Sequence, residues 1–325
     1  MNAKLSRLLF LLPALLSLQT QAQSPGEYPV RPITVIVSTA AGSAGDILMR
    51  SIAPRLAERL KQSVIVENKV GASGTIGADY VAKAAPEGYA LLATVNTLAI
   101  LPALRTDLPY DLLKDFAHIT KLVKVDLTFG LSTSVKANDL KELVALIKAT
   151  PGKYTFGSPG NGTPHHMAGE VIRQNLGLDM VHVPHKDLAL AVQNLVGGHV
   201  DMLVSGTASI LPAAKTGKVK LLATTGTSRS AFAPDIPTFR ELGYDFMDDV
   251  AGWYALSAPA KTPAPVIGRL NREFREVLAI AAVKEALEKI GMEAETSTPE
   301  QANAFVKGDI ERWTRVVKQG KISAN

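Results

Sequence analysis

The 325-residue sequence predicts an α/β protein of two lobes, joined by two crossover segments, with a ligand cleft between them. Three observations lead there. Short runs of apolar or β-branched residues alternate with amphipathic helical stretches, the pattern of a mainly parallel sheet covered on both faces. The chain is longer than the roughly 250–300 residues at which a single core stops growing. Trp253-Tyr254-Ala255-Leu256-Ser257 reads as a strand that comes back to the first lobe after a second strand-helix series is complete. The expected division is a signal peptide at 1–22, one lobe from 23–125 plus 248–325, and the other from 126–247.

The first residues have the form of a targeting segment. Lys4 and Arg7 supply the positive start, residues 8–18 the apolar run, and Thr20-Gln21-Ala22 a small-x-small cleavage signal, with cleavage expected after Ala22. That run is short for a membrane span, and no later stretch approaches about 20 uninterrupted apolar residues. With no cysteine in the chain, neither a lipid-anchored cysteine nor a disulfide framework is available. A free, monomeric periplasmic protein without membrane insertion is expected. Losing Lys4 and Arg7, with no Asp or Glu in 1–22, lowers the formal charge from +5 to +3. Lys and Arg are scattered over amphipathic helices and not interleaved with aromatics, which argues against a nucleic-acid surface.

In chain order, Ile33-Thr34-Val35-Ile36-Val37 is the first strand, and residues 39–46 form the loop leaving it. Leu48, Ile52, Leu56 and Leu60 recur every four residues and give the next helix one apolar stripe. A strand at 64–67, a glycine-bearing loop through Gly71 and Gly74, a helix near 76–84 and a strand at 89–94 follow. Ligands on such sheets gather outside the carboxyl ends of the strands, which singles out 39–46, 68–74 and 95–98, the last holding Asn96 and Thr97. The second series runs strand 126–132, helix 140–149, strand 154–158, a helix with Met167, Val171 and Leu176, strand 180–184, helix 188–196, and strand 200–204 into Ser205-Gly206-Thr207. A strand at 220–224 and a polar, Pro-containing connection at 225–237 precede the return strand. Helices at 265–279 and 282–290 come next, and Thr298-Pro299-Glu300-Gln301 is a capping-box start for the last helix.

The stretch most suggestive of function is residues 154–166. Tyr154-Thr155-Phe156 runs into a Gly/Pro/Asn turn, and Thr163-Pro164 supplies a helix N-cap and first-turn proline. A helix start with free N–H groups, beside glycines that let a ligand approach the backbone, can bind a carboxylate without Arg or Lys. The other reading is an ordinary strand-helix turn whose glycines serve geometry alone.

Ordered segments along almost the whole chain carry a family resemblance. They include Tyr28-Pro29-Val30-Arg31-Pro32-Ile33, Val66-Glu67-Asn68-Lys69, Gly71-Ala72-Ser73-Gly74-Thr75-Ile76-Gly77-Ala78 and Ala84-Ala85-Pro86-Glu87-Gly88-Tyr89. Leu108-Pro109-Tyr110-Asp111, Gly160-Asn161-Gly162-Thr163, Met167-Ala168-Gly169-Glu170, His182-Val183-Pro184 and Arg312-Trp313 continue the series. With these the chain resembles the periplasmic solute-binding receptors of tripartite tricarboxylate transporters, the Bug receptors. The resemblance implies a type II periplasmic-binding-protein fold, capture of a small organic carboxylate between the lobes, and delivery to membrane permease subunits. It implies no enzyme activity, cofactor or metal. In that family the ligand carboxylate is held by backbone N–H groups and small polar side chains of two turns, which map here onto Thr39, Ala41, Gly42, Ser43 and Asp46, and onto Ser158, Gly160, Asn161, Gly162 and Thr163. Asp46 is expected to cap the free N–H groups of its helix, the alternative being contact with a ligand ammonium, as the matching acid makes in some family members. Trp253 and Tyr254 sit at the crossing, where hinge packing is expected ahead of lining the cleft.

Three departures from the family pattern bear on selectivity. The first loop reads Ser38-Thr39-Ala40-Ala41-Gly42-Ser43, with Ser43 where the family usually has glycine; Val183-Pro184-His185-Lys186-Asp187 replaces Val-Pro-Tyr-Lys-Gly; and Val204-Ser205-Gly206-Thr207 replaces a segment with Phe and Asn or Asp. A more open and more polar pocket is the expectation, with Ser205 and Gly206 in it. His165 and His185 lie at loop positions near the cleft, open to ligand or to solvent.

A metal-dependent enzyme is the competing reading, because five of the six histidines lie between 165 and 199: His165, His166, His182, His185 and His199. The spacing is not His-Glu-x-x-His and no cysteine is present. No Gly-x-Ser-x-Gly elbow accompanies Ser158, Ser205 or Ser209, and Gly160-x-Gly162 lacks the third glycine of a dinucleotide fingerprint. A ligand-sensing receptor feeding a signalling partner is a further alternative.

Overall fold

The computed structural model describes residues 28–323; the expected signal peptide lies outside them. β1 (Ile33–Val37) alternates its side chains across the sheet, as a strand must. Ile33, Val35 and Val37 enter a core with α1 (Ala44–Leu60), while Ile36 enters a second core on the opposite face. β2 (Val64–Asn68), α2 (Thr75–Ala82), β3 (Ala90–Val95) and α3 (Thr97–Leu104) continue the first lobe, and β4 (Phe116–Val125) ends it.

β5 (Leu127–Ser132), α4 (Leu140–Ala149), β6 (Tyr154–Ser158), α5 (Pro164–Leu176), β7 (Met180–Pro184), α6 (Leu188–Val196), β8 (Met202–Gly206), α7 (Thr207–Lys215) and β9 (Val219–Thr224) build the second lobe. Phe129, Phe156, Met167 and Met202 fill the core on one face of its sheet, and Leu195, Leu203 and Ile210 the other. β10 (Gly252–Pro259) then returns to the first sheet, followed by α8 (Ala264–Leu278), α9 (Ala281–Glu288), β11 (Glu293–Ala294) and α10 (Pro299–Gly320). Thr298 and Gln301 form the expected capping box at the start of α10.

The sheets are ordered β11-β4-β10-β3-β1-β2 and β7-β6-β8-β5-β9. Both are mixed, not mainly parallel. β1 pairs in parallel with β2 and β3, and β6 with β7 and β8, whereas β10 runs antiparallel to β3 and β4, and β5 antiparallel to β8 and β9. The crossings cause this in the first sheet. The chain leaves along β4 and comes back along β10 beside it, with Gly252 opposite Val125, so the outgoing and incoming strands must oppose.

Two helices tie the lobes together. α10 buries Val306 in the first-lobe core and Trp313 and Val317 in the second, and α3 sends Ile100 into the second-lobe core. Among the described residues no helix is long and apolar enough to cross a membrane.

Candidate functional site

The turn between β6 and α5 is held from within. Thr163 is the N-cap: its hydroxyl accepts from His166 N at 3.3 Å and donates to Gly160 O at 2.8 Å. Gly160 and Gly162 have φ of +126° and +70°, where a side chain is disfavoured. Their amides do not point outward as donors for a ligand. Gly160 N donates to Ser158 Oγ at 3.2 Å, and Gly162 N donates to His166 Nδ1 at 3.1 Å.

Accepting on Nδ1 leaves the His166 proton on Nε2, 3.9 Å from Glu170 Oε1, and Glu170 is in turn bound by Arg173 at 2.8 Å. The His166 ring stacks on His182 at 3.9 Å, and His182 stacks on Phe156 at 4.8 Å. Burial pushes His166 down to about 4 and His182 to about 3, so both are neutral plates in an apolar stack. Ser158 is fully buried, 2.7 Å from His182 Nε2. His185 closes its ring over the strand end, with Nδ1 3.2 Å from Ser158 O, and His199 is exposed. Among the described residues no group of three or more His, Cys, Asp or Glu is arranged to hold a metal ion.

The facing loop is also self-contained. Ser43, not Asp46, is the N-cap of α1; its hydroxyl accepts from Asp46 N and lies 2.7 Å from Thr39 Oγ1. Asp46 sits in the first turn, 4% exposed, and reaches back to accept from Gly42 N at 2.9 Å while Arg50 Nε donates to its other oxygen at 2.9 Å. The Gly42 N–H, together with Asn68 and Arg50, holds this carboxyl below its usual range. The N-terminus of α1 therefore already has a resident anion. The Tyr254 ring lies against Gly45, and burial pushes this phenol up to about 12, opposed by the Gly45 N–H.

Between the lobes lies a cavity of about 260 Å³. Of the residues singled out in the sequence, Thr39, Asn96, Thr97, Thr163, His165 and Gly206 line it. Ala41, Gly42, Ser43, Asp46, Ser158, Gly160, Asn161, Gly162, His185 and Ser205 do not: Ala41, Gly42 and Asn161 are exposed on their loops, and Ser158 and Ser205 are buried in β6 and β8. The ends of four helices converge here, through Ala44 of α1, Thr97 of α3, Pro164 of α5 and Gly206 before α7. Only α1 carries an acid in its first turn.

Among the described residues no Lys, Arg, Asp or Glu lines the cavity. His165 does, and its Nδ1 is buried without a partner among the described residues. Burial pushes His165 down to about 4, which keeps it neutral. Most of the remaining wall is apolar, including Val95, Val125, Leu127, Pro159, Leu188, Ile290 and Met292. That corrects the expectation of a more polar pocket: Ser205 is turned into the sheet, and Tyr254 and Met292 take wall positions instead. Trp253 and Tyr254 both reach the wall, the second of the two roles the sequence left open for them.

The segment 290–292 carries no signal for the site in the sequence beyond a glycine after a helix. It arrives because Gly291 packs on α7, where an added Cβ would stand 2.6 Å from Ala208 Cβ. A larger hollow of about 440 Å³ lies by the crossings; of its four cations, Lys121, Lys124 and Arg312 are paired with Glu295, Asp126 and Asp309, and Arg315 is the fourth.

Two α/β lobes that close on a cavity ringed by helix N-termini define a type II periplasmic-binding-protein fold. Residues 48–322 match the tripartite tricarboxylate transporter family receptor (TctC), and the chain belongs to this family of periplasmic solute-binding receptors, which are not enzymes. It is 33% identical over 299 residues to protein BugT of Bordetella pertussis, covering 91% of each chain. In structure it is similar to the periplasmic binding protein BugD, with a TM-score of 0.77 and 32% identity over 91% of this chain and 99% of that one. It is likewise similar to MatC of Rhodopseudomonas palustris, solved with bound malate, with a TM-score of 0.75 and 30% identity over 89% of this chain and 100% of that one. The family read from the sequence is thus the correct one.

Proposed function

We propose that this receptor captures a small carboxylate in the cavity between a lobe of residues 23–125 plus 248–325 and a lobe of residues 126–247, and delivers it to a tripartite tricarboxylate-type membrane transporter. The observation that carries this reading is that α3, α5 and α7 begin at one cavity with no acid in their first turns. Free N–H groups and the positive helix ends favour an anion there, and no fixed cation competes for the role. The malate bound by MatC, a structural relative, supports the same class of ligand.

The contact set in this reading is Thr39, Asn96, Thr97, Thr163, His165 and Gly206. Ala41, Gly42, Ser43, Asp46, Ser158, Gly160, Asn161, Gly162 and His185 shape and brace the two turns, and Ser205 stays buried in β8. The chain is exported by residues 1–22 and acts in the periplasm as a monomer, and its partners are the permease subunits. Thermal unfolding of the mature protein with a panel of organic anions tests the ligand class: binding to the folded state alone raises the midpoint. A panel of mono-, di- and tricarboxylates that leaves the midpoint unmoved would remove this reading. Export is checked by the N-terminal sequence of the periplasmic protein, which should begin at Gln23. Delivery is checked by whether the loaded receptor drives uptake into vesicles holding the permease.

A further inference from the structure

We infer that the ligand of this cleft is a monocarboxylate with an apolar body, aliphatic or aromatic. The inference rests on the carboxylate-receptor reading above and narrows it. Its grounds are the composition of the wall and the place of His165 in it.

An ionised carboxylate taken from water needs donors or a cation around it. The wall holds no cation, so its anion-binding capacity is limited to helix N–H groups, a few hydroxyl and amide side chains, and the imidazole of His165. His165 lines the cavity, and a neutral imidazole can present one ring N–H to a carboxylate oxygen. The N-terminus of α1 differs from the others. It is already occupied by the buried Asp46 carboxylate, which also pairs with Arg50, so it has little left to offer a ligand carboxylate.

The remaining surface favours hydrocarbon. Val95, Leu127, Leu188 and Met292 come from different elements of both lobes and face the same space. A second carboxylate in a cavity of about 260 Å³ would lose its water against these side chains and repel the first charge from within a few ångströms, with no cation in the wall to offset either cost. A methylene or aromatic body fits that surface, and each buried methylene should tighten binding roughly fourfold.

The test is isothermal titration of mature wild-type protein with butyrate, pentanoate, hexanoate and benzoate, the matched diacids adipate and terephthalate, citrate, the polar monoacid glycolate, and the neutral hexanamide and benzamide. The expected result is affinity rising roughly fourfold per methylene from butyrate to hexanoate. Hexanoate and benzoate should bind at least about tenfold tighter than their diacids, than citrate and than glycolate, and the amides should bind far more weakly than the acids. Adipate, terephthalate, citrate or glycolate binding as tightly as hexanoate or benzoate would overturn the inference and leave the carboxylate receptor standing. Amides binding as well as acids, or no anion binding at all, would overturn both.

Discussion

Gly162 of the second lobe and Leu104 of the first meet across the lobe boundary: a Cβ at Gly162 would stand 2.7 Å from Leu104 Cδ1, at a φ of +70°. The glycine is required twice over, by its backbone and by its neighbour. Gly162→Ala should therefore cost about 1–2 kcal/mol, read by equilibrium urea unfolding. Adding Leu104→Ala removes the opposing methyl groups but not the backbone strain, so the double variant should be less destabilised than the sum of the two single ones. Strictly additive losses would mean that the two residues do not touch.

Asp46 anchors the facing loop through Gly42 N and Arg50. Asp46→Asn should lower stability at pH 7 by about 1–3 kcal/mol, because one partner of a buried charge-assisted pair is lost. The sign with pH follows from the depressed carboxyl. Its contribution is complete above the unfolded value of about 3.9 and disappears as pH falls through the lower folded value. The gap between wild type and variant should narrow below about pH 4. A gap that stays constant to pH 2.5 would rule out the carboxylate as its source.

Four histidines are held neutral by burial: His118, His165 and His166 at about 4 and His182 at about 3. Each binds its proton more readily in the unfolded chain, whose histidines titrate near about 6.5. Stability should be level above about pH 7 and fall as pH drops from about 6.5 toward 4. Chemical unfolding at pH 7.5 and pH 5.0 measures this directly, and equal stability at the two values would contradict it.

The turn with its helix was legible because local chemistry decides it: Thr163 caps, Pro164 fits the first turn, and the glycines take left-handed φ. α3 and α7 were not, since each is only eight or nine residues long and has a proline inside, Pro102 and Pro212, which breaks the pattern that reads as helix. β4 has Lys121 and Lys124 amid its apolar residues and turns into the crossing, so it too left no clean period. The site was legible to the extent that loops at strand ends converge. It failed where amides expected to face a ligand are used internally, as at Gly42, Gly160 and Gly162, and where wall residues such as Met292 arrive by lobe packing.

Both tryptophans of the chain donate to one carboxylate oxygen, with Trp253 and Trp313 Nε1 each 2.9 Å from Asp309 Oδ2, and Arg312 holds the other oxygen at 3.0 Å. Asp309→Ala strands two buried indole N–H groups and should cost about 3–5 kcal/mol. Only Trp253 also lines the cavity. Ligand should therefore change the intrinsic fluorescence of wild type and of Trp313→Phe, and not that of Trp253→Phe. A ligand response that persists without Trp253 would place the bound molecule elsewhere.

His165 gives the sharpest test of the site, because a binding role and a structural role predict opposite signs. Its Nδ1 is buried without a partner among the described residues, so in the free protein this atom bears a desolvation cost with nothing to offset it. His165→Phe keeps a flat ring on the wall and removes that cost, so the free protein should be unchanged or more stable by up to about 1 kcal/mol. The same change removes a donor from the cavity and should weaken carboxylate binding by roughly tenfold, or about 1.4 kcal/mol. Unfolding without ligand and titration with hexanoate, on the same two proteins, measure both. Loss of stability with affinity unchanged would make His165 a packing residue and move the anion to the helix ends alone.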